Sequence, residues 1–215
     1  MIYDHISFFG DGDMLKTVPI LLLPLAVSAD PLITVSGQFS SQNVSGQVIE
    51  SPAVALKIEA IGPHVSQSLR LTGGSDSSLK RQEALYTCGV SDFSNTTTDF
   101  ALWTGVGFWR IEDQTLNTSV THSYSYIPFG TEIGQQIDTD LFAVFSGEAR
   151  VSFSGSYDTK SKSKSSAIGY LVSGGLDWIY SSDTTIEISV YRSLWEPDGE
   201  ARPHHELGTR IGFRF

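Results

Sequence analysis

The chain has 215 residues, with 24 acidic against 14 basic side chains and a formal net charge of −10. Such a balance leaves no basic surface to neutralise phosphates and argues against nucleic acid as a partner. A single cysteine, Cys88, excludes an intramolecular disulfide and a cysteine-based zinc site, and the length is that of one domain.

The amino terminus predicts export. Lys16 precedes the apolar run Val18–Val27, and Ser28-Ala29 supplies the small residues of a cleavage site before Asp30. Residues 14–29 therefore read as a signal peptide, too short to span a bilayer as a helix. Pro19 and Pro24 argue against the alternative of a buried helix. Residues 1–13 carry Asp4, Asp11 and Asp13, the wrong charge for the start of a signal, so Met14 is the expected initiator. Beyond residue 29 no apolar run approaches the roughly 20 residues of a membrane helix. A membrane location would have to be reached with strands.

Ten later segments alternate with period two, which gives a strand one dry face and one wet face. In 32–41, Ile33, Val35, Gly37 and Phe39 oppose Thr34, Ser36 and Gln38. In 53–61, Val54, Leu56, Ile58 and Ala60 oppose Lys57 and Glu59. After the turn Gly62-Pro63, Val65, Leu69 and Leu71 of 64–72 oppose Ser66, Ser68 and Arg70. In 82–90, Ala84, Tyr86, Cys88 and Val90 oppose Glu83 and Thr87. Residues 99–111 carry large side chains on both faces, so their orientation stays open. The stretch 118–137 reads as a less regular strand, interrupted near Pro128 and Gly130.

Segment 141–157 sets odd residues from Leu141 to Tyr157 outward and Glu148, Arg150, Ser152 and Ser154 inward. In 167–180, Ile168, Tyr170, Val172, Leu176, Trp178 and Tyr180 face away from Asp177, and in 184–195 Ile186, Ile188 and Val190 oppose Glu187 and Ser189. At the carboxy end, Leu207, Thr209, Ile211, Phe213 and Phe215 oppose Gly208, Arg210, Gly212 and Arg214. Arginines on one face and an apolar row on the other suit a wall between lipid and a wet lumen. The expected fold is an all-β, antiparallel, up-and-down transmembrane β-barrel of ten strands. Eight remain possible if the first two segments or 118–137 are mispaired. Short turns near 62, 139 and 182 would be periplasmic, and the loops near 46, 76, 115, 162 and 200, mostly longer, would face outward.

Residues 166–215 carry Gly174-Gly175-Leu176-Asp177-Trp178, Val190-Tyr191-Arg192 and Gly212-Phe213-Arg214-Phe215. They resemble the closing hairpins of small bacterial outer-membrane barrels, the opacity-protein and outer-membrane-protein-A-like group. The amino-terminal half shows no such resemblance. The resemblance implies an outer-membrane location among lipid and lipopolysaccharide, and makes Phe213 and Phe215 the signal read by the barrel-assembly machinery.

The inward phases place Lys57, Arg70, Arg150, Arg210 and Arg214 in the lumen with Glu59, Glu83, Glu148, Asp177 and Glu187. Opposite charges in equal number can pair and fill a narrow barrel, whereas isolated ones would be costly there. The bland alternative is the wet face of a soluble sheet. His122 with Ser123 or Ser125 would suggest lipid hydrolysis, but neighbours on a strand point to opposite faces, so a girdle or lipid-facing histidine is the simpler reading. His204-His205-Glu206 in a Pro-rich loop could hold a metal and is more simply solvated. Lys160, Lys162 and Lys164 could meet lipopolysaccharide phosphates or another polyanion, or form a solvated loop. Tyr124, Tyr126, Tyr157, Trp178, Tyr180 and Trp195 are candidates for interfacial girdles.

The function expected is a non-enzymatic, monomeric barrel with a structural or surface-interaction role, its lumen filled by paired charges, without metal or cofactor. The alternatives are a narrow solute channel, a lipid-modifying enzyme and a soluble periplasmic β-sandwich.

Overall fold

The computed structural model describes residues 31–44, 47–62, 64–76, 79–92, 97–113, 120–158, 162–164, 166–198 and 203–215. The expected signal segment 14–29, the residues before it and Lys160 lie outside these ranges. The strands are β1 (Leu32–Val44), β2 (Gln47–Ile61), β3 (Val65–Ser75), β4 (Leu79–Asp92), β5 (Thr98–Asp113), β6 (Val120–Asp138), β7 (Leu141–Asp158), β8 (Lys162–Lys164), β9 (Ala167–Ser181), β10 (Thr184–Pro197) and β11 (His204–Arg214).

All but β8 form one closed antiparallel ring. Sequence neighbours pair, β7 pairs with β9, and β11 returns to β1. The seam is regular: Val35 lies opposite Phe213, and Ile33 and Phe215 exchange backbone hydrogen bonds of 3.0 and 2.9 Å. Ring closure gives ten strands rather than eight and overturns the β-sandwich alternative. It also leaves no strand edge in the wall, and every wall amide can find a partner without water.

The outer face is an apolar belt. Phe39 is 65 % exposed and Phe153 64 %, among many valines, leucines and isoleucines from every wall strand. An apolar band of this size would be a liability in water and is what a bilayer requires. Trp178 and Tyr180, ring centroids 5.6 Å apart, stand exposed beside the turn at Ser182-Asp183. That end of the barrel carries both the seam pair Ile33–Phe215 and the short turns at 62–64, 139–140 and 182–183. The opposite end, the loop end, carries the connections after β1, β3, β5, β7 and β10, while the connection after β4 lies at the seam end.

Three local features differ from expectation or complete it. Strand β5 has a single phase, with Trp103, Trp109 and Ile111 inward and Phe100, Leu102 and Val106 outward. Strand β6 is continuous through Pro128. The β5–β6 pairs run Thr104–Phe129 and then Gly107–Tyr126, so proline occupies a gap in the ladder where no N–H is needed. The Thr104 hydroxyl donates to the Pro128 carbonyl at 2.8 Å. Strand β7 does not keep one phase along its length. Tyr126 pairs with Ser152 but Ser125 with Ser154, leaving Phe153 as an extra bulged residue. Ser154 is consequently exposed on the outer face and not inward, and the strand resumes with opposite parity.

Candidate functional site: a closed lumen

The inward side chains fall into layers along the barrel axis. Nearest the loop end, Trp109 of β5, Tyr124 and Tyr126 of β6, Trp195 of β10 and His204 of β11 meet across the interior. The rings of Trp109 and Tyr124 stack at 5.8 Å, Tyr124 and Trp195 at 5.2 Å, and Trp109 lies 5.2 Å from His204. Tyr126 meets Trp195 edge-on at 5.2 Å. None of the four large rings is more than 1 % exposed. Glycines on neighbouring strands make room for them. A Cβ at Gly107 would lie 2.2 Å from Tyr126 Cζ, and one at Gly169 would lie 2.8 Å from the Trp195 ring.

Directly against these rings lies an ionic layer. Arg150 sits over Tyr126 at 5.2 Å and over Trp195 at 5.5 Å. Its guanidinium reaches Glu148 at 2.5 Å and Glu83 at 3.3 Å. Glu83 also accepts from the Tyr126 hydroxyl at 2.9 Å and pairs with Arg70 at 3.6 Å and Arg81 at 3.7 Å. Arg81 binds Glu206, which accepts from the Tyr191 hydroxyl at 2.7 Å. The Trp103 indole N–H donates to Glu148 at 3.5 Å. Charges removed from water in this way are tolerable only with partners on several sides, and Glu83 has four.

Toward the seam end the interior opens. One cavity of about 200 Å³ and a contiguous one of about 310 Å³ share Lys57, Glu59, Glu132, Asp177 and Arg214. Lys57 pairs with Glu59 at 2.9 Å, and Arg214 lies 3.4 Å from Asp177 and 3.5 Å from Glu187.

No family model matches the chain, and no curated protein matches it in sequence. Solved structures do. The outer membrane protease OmpT of Escherichia coli superposes with TM-score 0.54 at 7 % identity, over 87 % of this chain and 97 % of that one. Neisserial surface protein A gives 0.49 at 10 % identity, over 86 % and 95 %. The chain has the outer-membrane β-barrel fold. At these identities the likeness of this barrel to others extends to fold and stops short of activity.

Within the barrel, the ten charges expected in the lumen all face inward, but not as one network. Arg70, Glu83, Glu148 and Arg150 join the ionic layer, while Lys57, Glu59, Asp177, Glu187 and Arg214 line the seam-end cavity. Arg210 makes no ion pair among the described residues and lies over the Tyr191 ring at 5.3 Å. Arg81, Glu132 and Glu206 were not foreseen as lumen residues. Their parity with Glu83, with Gly130 and with Gly208 and Arg210 was the available signal.

Several aromatic expectations are corrected. Tyr124, Tyr126 and Trp195 are not girdle residues, and His122 does not face lipid: all four point inward and are buried. Near the loop end the usual gradient inverts. The strands project past the belt there, so Ser123, Ser125 and Ser156 take the outer face, and the interior becomes the drier side. The Ser123 hydroxyl bonds to that of Ser156 at 2.8 Å and so turns away from His122. His204 and Glu206 are inward residues of β11, with His205 on its other face, so the three do not converge as metal ligands. Lys162 and Lys164 lie in β8, which turns back to pair with β7 through Asp158–Lys162 and Ser156–Lys164. Phe213 and Phe215 stand exposed on the outer face beside the seam.

Proposed function

We propose that the chain is a non-enzymatic, monomeric protein of the bacterial outer membrane, whose barrel is closed to solutes and holds the loops at the surface. The observation that carries this reading is the double layer across the lumen: four buried aromatic rings in mutual contact, with Arg150, Glu83, Glu148, Arg81 and Glu206 packed beneath them. Side chains contributed by β4 to β7, β10 and β11 meet across that cross-section and are buried there, which supports a barrel without a continuous water path. Binding then falls to the loops, as is usual where a rigid scaffold carries them. Lipid and lipopolysaccharide surround the belt, and the basic sequence Lys160, Lys162 and Lys164 supplies charges suited to their phosphates. Phe213 and Phe215, placed outward at the closing strand, suit recognition by the barrel-assembly machinery.

Planar-bilayer conductance tests the closure. Wild-type protein is expected to give no resolved current steps, and the Trp109→Ala/Trp195→Ala variant to give them, with both migrating as heat-modifiable barrels. Equal steps from both proteins would replace this reading with the narrow-channel one.

A further inference from the structure

The ionic layer is unbalanced. It holds Arg70, Arg81, Arg150 and Arg210 against Glu83, Glu148 and Glu206, four positive charges to three negative. The surplus falls on one side chain. Arg210 has no carboxylate within 4 Å among the described residues, its Nε is buried without a hydrogen-bond partner, and its plane rests on Tyr191. Arg70 lines the same cavity of about 200 Å³; its buried Nε has no hydrogen-bond partner, and its Nη2 is held only by the 3.6 Å ion pair with Glu83. The hydroxyls of Ser36, Ser68, Thr87 and Ser189 line the same cavity, with Ser189 paired to Arg210 in the β10–β11 ladder and Ser68 and Thr87 bonded to each other at 2.8 Å.

A buried guanidinium with unmet donors is costly, and a bound anion is the natural remedy, because two forks and several hydroxyls match the acceptors of an oxyanion. We propose that Arg210 and Arg70 form a lumenal site for a small oxyanion of phosphate or sulfate size. The occupant enters from the seam end, since the aromatic rings close the other. Lys57 and Arg214 stand on that route among four carboxylates, Glu59, Glu132, Asp177 and Glu187. That acidic entrance slows anions but does not remove the deeper site. The proposal is independent of what the loops bind.

Isothermal titration of the folded barrel in zwitterionic micelles, in chloride-free buffer, tests it with inorganic phosphate, sulfate and acetate in turn. Saturable uptake of one phosphate or sulfate per chain is expected, at least tenfold weaker in Arg210→Ala and in Arg70→Ala. Arg210→Lys, which keeps the charge and loses the fork, should fall between, and Arg192→Ala on the outer face should bind as wild type. Heat-modifiable migration identifies the folded samples. Folded wild-type protein that takes up none of the three anions overturns the proposal. Binding unchanged in both alanine variants does so equally.

Discussion

Glu83 is the residue on which the interior turns, because three guanidiniums and the Tyr126 hydroxyl converge on one carboxylate. Removing it leaves three buried cations facing one another with less compensation than desolvation demands. Glu83→Ala should therefore cost about 3–5 kcal/mol, as breaking a buried ion pair does. Glu112→Gln, whose ion pair with Arg110 at 3.8 Å lies on the outer face, should stay within about 0.5 kcal/mol. Urea unfolding followed by tryptophan fluorescence separates the two, and equal midpoints would show that the layer is not organised around Glu83. Gly107 makes a second residue-scale case. A methyl there meets Tyr126 at 2.2 Å in a ring that is fully buried and hydrogen-bonded to Glu83. Gly107→Ala should destabilise by about 1–3 kcal/mol, the usual cost of overpacking, and wild-type stability would mean that the ring is free to move aside.

At the scale of the strand, alternation was legible wherever one phase runs the whole length of the element. Strands β1, β3 and β11 have one lipid-facing row and one polar row, and the sequence reveals both. Strand β5 was ambiguous because its inner row carries Trp103 and Trp109, as apolar as the outer row. Strand β7 departs from the expected phase only from Ser154 onward, since nothing in Ser152-Phe153-Ser154 announces that Phe153, itself outward as expected, is bulged. The bulge makes a direct prediction in a Cys88→Ser background. Ser154→Cys should react readily with a bulky thiol reagent in the folded protein. Ser152→Cys, buried where Ser152 now accepts from the Ala167 amide at 2.6 Å, should stay protected. The reverse pattern would mean that the strand has no bulge.

For the whole molecule the decisive contact is the seam. Ser36 and Gly212 face each other there, and a Cβ at Gly212 would lie 3.1 Å from that of Ser36. Disulfides need about 3.5–4.5 Å between these atoms, a small adjustment. Ser36→Cys/Gly212→Cys, again without Cys88, should oxidise to an intramolecular bridge in the folded protein. It would alter the mobility of boiled, non-reduced samples on a gel. In an open sheet these residues would lie on opposite edges, so failure to cross-link would argue against ring closure.

What the sequence by itself determined is the lipid-facing half of this protein. An outward residue contacts a uniform solvent, so its suitability depends on its own hydrophobicity and its parity, and both can be read one strand at a time. The inward half was decided by tertiary structure. Arg81 and Glu206 meet although 125 positions apart, and Trp109, Tyr124 and Trp195 stack only because closure brings β5, β6 and β10 around a common axis. An inward polar residue reveals that it faces the lumen but not which partner it meets there. That depends on strand number, register and the single extra residue in β7, quantities set by how the strands join and carried by no one of them alone.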